Sequence, residues 1–136
     1  MIATTAAMAV SHDAAFAADG TVVGDPTEVA LLLAARNAGL DHVAERARLP
    51  RVAELPFDAE RECMTTFHRL PDGGWRSITK GAAEVIIGAS NSELHGGAAT
   101  MLDAPRLRRI FEQMAAGGLR VLAIGVRHWT DLPVTI

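Results

Sequence analysis

The spacing of apolar and polar positions changes period several times along the chain, and each change predicts an element. Ala3–Ala18 is rich in alanine around a polar Ser11-His12-Asp13 and reads as a helix followed by an irregular link. Gly24-Asp25-Pro26-Thr27-Glu28 is a helix start: Asp25 can cap, Pro26 suits the first helical position, and Glu28 stands three residues after the cap. A helix is predicted over Pro26–Asn37, ended by Gly39, with a short polar helix over Asp41–Ala47. Arg51–Phe57 and Cys63–Leu70 read as strands. Pro71-Asp72-Gly73-Gly74 is turn chemistry, so Trp75–Lys80 returns as an antiparallel partner.

Gly81 opens a short helix through Ile87, and Gly88–Thr100, small and polar, reads as a loop. Asp103-Ala104-Pro105 begins a helix with Leu107, Ile110, Phe111 and Met114 on one face, a stripe expected in the core. Gly117-Gly118 stops it, and Leu119–Val126 is an apolar strand. Antiparallel strands interspersed with helices predict an α+β domain, not a doubly wound parallel sheet. A length of 136 residues suits one domain. Within it, residues 1–20 form an N-terminal helix and link, and 129–136 an exit linker.

Composition narrows the chemistry. Hydrophobic residues make up 49% of the chain and aromatics only 4%, so the core is built from Ala, Leu, Val and Ile, and disorder is excluded. The net charge is −3, with basic and acidic residues interspersed, which leaves no electrostatic footprint for nucleic acid. An anionic ligand must therefore be held by local groups. The single cysteine, Cys63, permits no internal disulfide and reads as a small packed side chain. His12, His42, His68, His95 and His128 lack ligand spacing and read as surface or satisfied histidines. Met1–Val10 has no positive n-region, reads as a helix or a chain end, and is no targeting segment. No run approaches the roughly 18 apolar residues of a membrane span. A Walker-type phosphate loop is absent from the sequence.

Four separated segments matter together: Gly24-Asp25-Pro26-Thr27-Glu28, Pro56-Phe57-Asp58-Ala59-Glu60-Arg61, Lys80-Gly81-Ala82-Ala83-Glu84 and Gly118-Leu119-Arg120-Val121-Leu122-Ala123. In this order and at these separations they resemble the nucleotide-binding (N) domain of P-type cation-transporting ATPases, in particular the calcium and sodium/potassium pumps. The likeness spans about residues 20 to 128. It implies a twisted antiparallel sheet of about six strands flanked by helices. It also implies a domain that grips ATP by its adenosine end and presents the γ-phosphate to a phosphorylation domain elsewhere in the parent.

By the same resemblance Phe57 stacks on adenine, Lys80 lines the pocket floor, Glu28 meets the adenine amino group and Arg120 reaches ribose and phosphates. Gly81 lets the nucleotide approach the backbone, and Arg61 and Met64 lie around the pocket. The implied partners are ATP and the phosphorylation and actuator domains of the parent, with Mg2+ bound by the parent and not by this domain. The implied setting is a cytoplasmic domain of an integral membrane protein, itself soluble, monomeric and without direct membrane contact. The family's Asp-Lys-Thr-Gly-Thr run is absent here, so the domain is expected to bind ATP without hydrolysing it.

Local pattern alone offers plainer roles. Glu28 would complete a capping box, Phe57 would be core, Lys80 a solvated lysine and Arg120 a surface residue. Two positions depart from the family: Glu62 replaces a basic residue, which weakens phosphate attraction, and Ala83 stands where proline is common. These departures favour an alternative, the same fold without effective nucleotide binding, serving as a structural or partner-docking module.

Overall fold

The computed structural model describes residues 2–133, with side chains from Ala6 onward. Its α+β architecture follows the predicted order closely: α1 (Ile2–Val10), β1 (Ala15–Phe16), β2 (Val22–Val23), α2 (Pro26–Asn37), α3 (His42–Arg48), β3 (Arg51–Asp58), β4 (Cys63–Arg69), β5 (Trp75–Gly81), α4 (Ala83–Gly88), β6 (Ser92–His95), β7 (Ala98–Met101), α5 (Ala104–Ala116) and β8 (Ala123–Trp129). Four strands form one antiparallel sheet in the order β3-β4-β5-β8. β1-β2 and β6-β7 are separate two-stranded sheets. The strands expected in one sheet are thus divided among three.

The central sheet is packed on both faces. Register places Met64, Thr66 and His68 of β4 opposite Lys80, Ile78 and Arg76 of β5, and these opposite Ile124, Val126 and His128 of β8. Ile78 of this face packs with Ala7, Ala9, Val10, Ala35 and Leu49, so α1, α2 and α3 cover it. Alanines on α1 let its backbone approach closely. On the opposite face α4 lies over β8, where a Cβ at Gly125 would stand 3.2 Å from Ile86 Cγ2. β4, central and covered on both sides, is buried from Cys63 to His68.

Helix α2 begins as its sequence dictates: Asp25 accepts from the Thr27 N–H at 2.9 Å, and Pro26 opens the helix. Three expectations need correction. Gly88–Thr100 contains the β6–β7 hairpin, because Gly96 and Gly97 both take positive φ (59° and 85°), as a tight hairpin turn requires. The last strand starts at Ala123, not Leu119, and runs to Trp129, so Leu119–Leu122 connects α5 to β8. The stripe on α5 is not core: Ile110 and Met114 are 41% and 42% exposed, and no residue of α5 is buried. The helix rests on α4, held by an Arg108–Glu84 ion pair, and Arg106 ties it to Glu93 of β6. The terminal part of the expected exit linker, residues 134–136, lies outside the described residues.

Ala83 occupies the first turn position of α4, where no intrahelical partner awaits the N–H, and Ala82 before it has φ −56° and ψ 131°, the extended geometry a following proline needs. Ala83→Pro is expected to stabilise the domain by about 0.4 to 1 kcal/mol, read as a raised urea midpoint with an unchanged slope.

Candidate functional site

A cleft of about 350 Å³ opens where α2, the end of β3, the β4 start, the β5 end and the α5–β8 connection meet. Asp25, Thr27, Glu28, Phe57, Met64, Lys80, Gly81, Arg120 and Leu122 line it. Six of the residues singled out by sequence, Glu28, Phe57, Met64, Lys80, Gly81 and Arg120, therefore converge although they span 92 positions from Glu28 to Arg120. Arg61 is not in the lining; its Nη2 donates to the Cys63 carbonyl at 3.1 Å.

Phe57 is 65% exposed. Its strand pairs in unbroken register with β4 only from Ala53 to Leu55, and the register shifts again before Asp58. Pro56, which cannot donate to the ladder, falls in this irregularity, and pairing resumes only at Asp58 opposite Cys63. The ring is thereby left as an open aromatic platform on the cleft. A core role for Phe57 does not survive.

Lys80 is the reverse case, 7% exposed at the floor, with Nζ donating to Glu28 Oε1 at 3.0 Å. Glu28 Oε2 accepts from the Asp13 N–H at 3.2 Å. The carboxylate therefore closes no capping box; both oxygens are turned inward, to the floor lysine and to the segment after α1. Arg120 is exposed and makes no hydrogen bond among the described residues, so its guanidinium remains available at the cleft edge.

Gly81 has a packing reason for being glycine. A Cβ there would overlap the Glu62 carbonyl oxygen and stand 2.6 Å from Cys63 Cβ. The β4 start, not a ligand, excludes a side chain at that position. Glu62 itself has φ 53° and accepts from the Ala82 N–H at 3.0 Å, which ties the β3–β4 turn to the head of α4.

Behind the floor lies a histidine whose role the sequence did not reveal. His12 is completely buried and its Nε2 has no hydrogen-bond partner among the described residues, so it is neither a surface nor a satisfied histidine. Burial, then the charges of Arg46 and Lys80, pull its pKa down to about 4 against a smaller opposing effect of Glu28. His68 is also buried, but Leu49 O and Thr66 Oγ1 satisfy its two nitrogens at 2.9 and 2.8 Å. The only sequence signal for His12 was a polar Ser-His-Asp break inside an alanine-rich stretch.

A second cleft of about 390 Å³ lies at the far end of the sheet, between the β4–β5 turn and the β8 end, beside Trp75 and Trp129. It contains no buried charged group, whereas the first combines an exposed aromatic ring, a buried lysine paired with a half-buried glutamate, and an unengaged arginine.

The cleft belongs to an α+β domain whose family is given by comparison with known proteins. Residues 1–134 match the family described as P-type ATPase, cytoplasmic domain N, and the chain belongs to it. Among its relatives, the probable cation-transporting ATPase F of Mycobacterium tuberculosis is 42% identical over 130 residues, covering 92% of this chain and 14% of that protein. Calcium-transporting ATPase 1 of Lactococcus lactis is 33% identical over 129 residues, with the same coverage of 92% and 14%. Human plasma membrane calcium-transporting ATPase 3 is 34% identical over 117 residues, 79% of this chain and 10% of the relative. The chain thus spans a small part of each of these proteins. Among the described residues no helix is long and apolar enough to cross a membrane.

Proposed function

We propose that this domain binds ATP by its adenosine end and presents the γ-phosphate to a phosphorylation domain of an ATP-driven cation pump. The observation that carries the reading is the convergence of an exposed Phe57 with the buried Lys80–Glu28 pair and Arg120 in one cleft. Phe57 offers an adenine a stacking face worth about 1 to 3 kcal/mol. Glu28, as an acceptor-only carboxylate, suits an exocyclic amino group, and Arg120 suits phosphate oxygens. The cleft is of ordinary ligand-pocket size. The triphosphate end meets few side chains here, so Mg2+ contributes little to binding by this domain alone.

One stack and a few charge-assisted hydrogen bonds of about 1.5 to 3 kcal/mol each, set against ordering costs of about 4 kcal/mol or more, give micromolar to millimolar affinity. An ATP titration followed by amide chemical shifts tests the reading. Phe57, Lys80 and Gly81 should move together and saturate. No movement at millimolar ATP would favour the docking module instead.

Glu62 offers a graded check, because it is exposed and adds negative charge near the β4 start beside the cleft. Glu62→Lys is expected to raise ATP affinity about threefold at low salt, an advantage that shrinks as salt screens it. Calorimetry at two ionic strengths measures both.

A further inference from the structure

Glu28 has to meet a nucleotide from a fixed place, although its carboxylate ends a flexible side chain. Lys80 Nζ fixes Oε1 at 3.0 Å, and the Asp13 N–H fixes Oε2 at 3.2 Å. A carboxylate accepts about four hydrogen bonds, so both oxygens keep capacity for an amino group. The second anchor needs support of its own. Asp13 belongs to the irregular link between α1 and β1, where neither a helix nor a strand ladder holds the backbone.

The support comes from Arg46, in the last turn of α3. Its Nη2 donates to the His12 carbonyl at 2.7 Å and to the Ala14 carbonyl at 3.1 Å, and lies 3.2 Å from His12 Nδ1. His12 and Ala14 are completely buried, so water supplies no donor to these carbonyls. The His12 oxygen and the Asp13 N–H are opposite ends of one planar trans peptide. Gripping the oxygen therefore aims the N–H, and a hydrogen bond on the carbonyl polarises the same amide toward stronger donation. Arg51 Nη2 adds a second donor to the His12 oxygen at 3.0 Å. Of the two arginines only Arg46 also reaches the Ala14 carbonyl, which fixes the link on both sides of Asp13.

We propose, on the ATP reading above, that Arg46 is a positioning residue of the cleft, which sets the Glu28 carboxylate for the 6-amino group of adenine and so gives the site its preference for that base. Arg46 is not among the residues lining the cleft. It acts through the His12–Asp13 peptide, and every link from guanidinium to carboxylate is a hydrogen bond. Stacking on Phe57 accepts any base, so the preference has to come from a polar contact held in one place.

Calorimetry on the 136-residue chain with ATP and with purine riboside triphosphate, which lacks only the 6-amino group, tests the assignment. Wild type is expected to prefer ATP about tenfold. Arg46→Met keeps the stem but not the donors, and should bind ATP about tenfold more weakly while binding the amino-free nucleotide within about twofold of wild type. Loss of affinity for both nucleotides alike, or for neither, overturns the proposal. If Arg46→Met does not fold, Arg46→Lys, with its donor on a shorter stem, takes its place; the preference should then fall to about threefold, and an undiminished preference overturns the proposal. Amide shifts of the unaltered chain give a second measure. ATP should move the Asp13 amide on the same saturation curve as Phe57 and Gly81, whereas the amino-free nucleotide should move Phe57 and Gly81 with about half the Asp13 shift or less. An Asp13 amide that ignores ATP while Phe57 and Gly81 respond, or a wild type without preference between the nucleotides, overturns the proposal and leaves the ATP reading standing. If neither nucleotide moves an amide, both fall.

Discussion

Lys80→Met is expected to weaken ATP binding about tenfold or more and, in the same molecule, to lower the unfolding free energy by about 1 to 3 kcal/mol. The methionine keeps most of the packing of the lysine stem, so the losses report on the charge. Lys80 is 7% exposed and its only charged partner among the described residues is Glu28, at 3.0 Å. Removing the ammonium strands a mostly buried carboxylate with one remaining donor, the Asp13 N–H. The double variant Lys80→Met/Glu28→Gln separates the two effects. Glutamine keeps an acceptor for Asp13 without the charge, so stability should return while affinity stays low. Denaturant melts and calorimetry on the single and double variants complete the cycle. Undiminished ATP binding by Lys80→Met would reduce the lysine to a structural cation. If the double variant is no more stable than the single one, the ion pair is not what the lysine provides.

The sequence offered two simpler readings of Lys80, a lysine lining a pocket floor and a solvated lysine. Motif order could place the lysine at a pocket floor but could not show that Glu28, 52 positions earlier, already holds it. The same limit separates what was legible from what was not. Helix α2 was readable to the residue because Asp25, Pro26 and Gly39 are local signals, and the β4–β5 hairpin because its turn and strands are contiguous. Local pattern failed where a distant neighbour decides. The α5 stripe has core periodicity, yet periodicity shows only that a face is apolar, and Ile110 and Met114 stay 41% and 42% exposed. Gly96-Gly97 was a local signal overlooked, since paired glycines between short strands mark a hairpin. Gly81 lines the cleft, but what requires a glycine there is the close approach of Glu62 and Cys63 at the β4 start.

The buried histidine carries the second large expectation. The stability of the domain should fall as pH drops from about 6.5 to about 4, and His12 should account for on the order of 2 to 3 kcal/mol of the loss. The sign follows from the proton count. Burial, Arg46, Lys80 and Arg51 hold the folded ring neutral down to a pKa of about 4, while the unfolded ring titrates near 6.5. Between these values the unfolded chain binds a proton that the native one does not, so acid favours unfolding. Above about 6.5 both states are neutral and His12 adds no slope; below about 4 both are charged and its effect is complete. Glu28 opposes the trend but is outweighed. His68, also lowered by burial, acts in the same direction, so some acid dependence must survive removal of His12. His12→Gln has no titrating ring, and the difference between its stability curve and that of wild type, from urea melts at intervals across pH 4 to 7, isolates the His12 share. Parallel curves through that range would mean that the folded ring titrates as freely as the unfolded one.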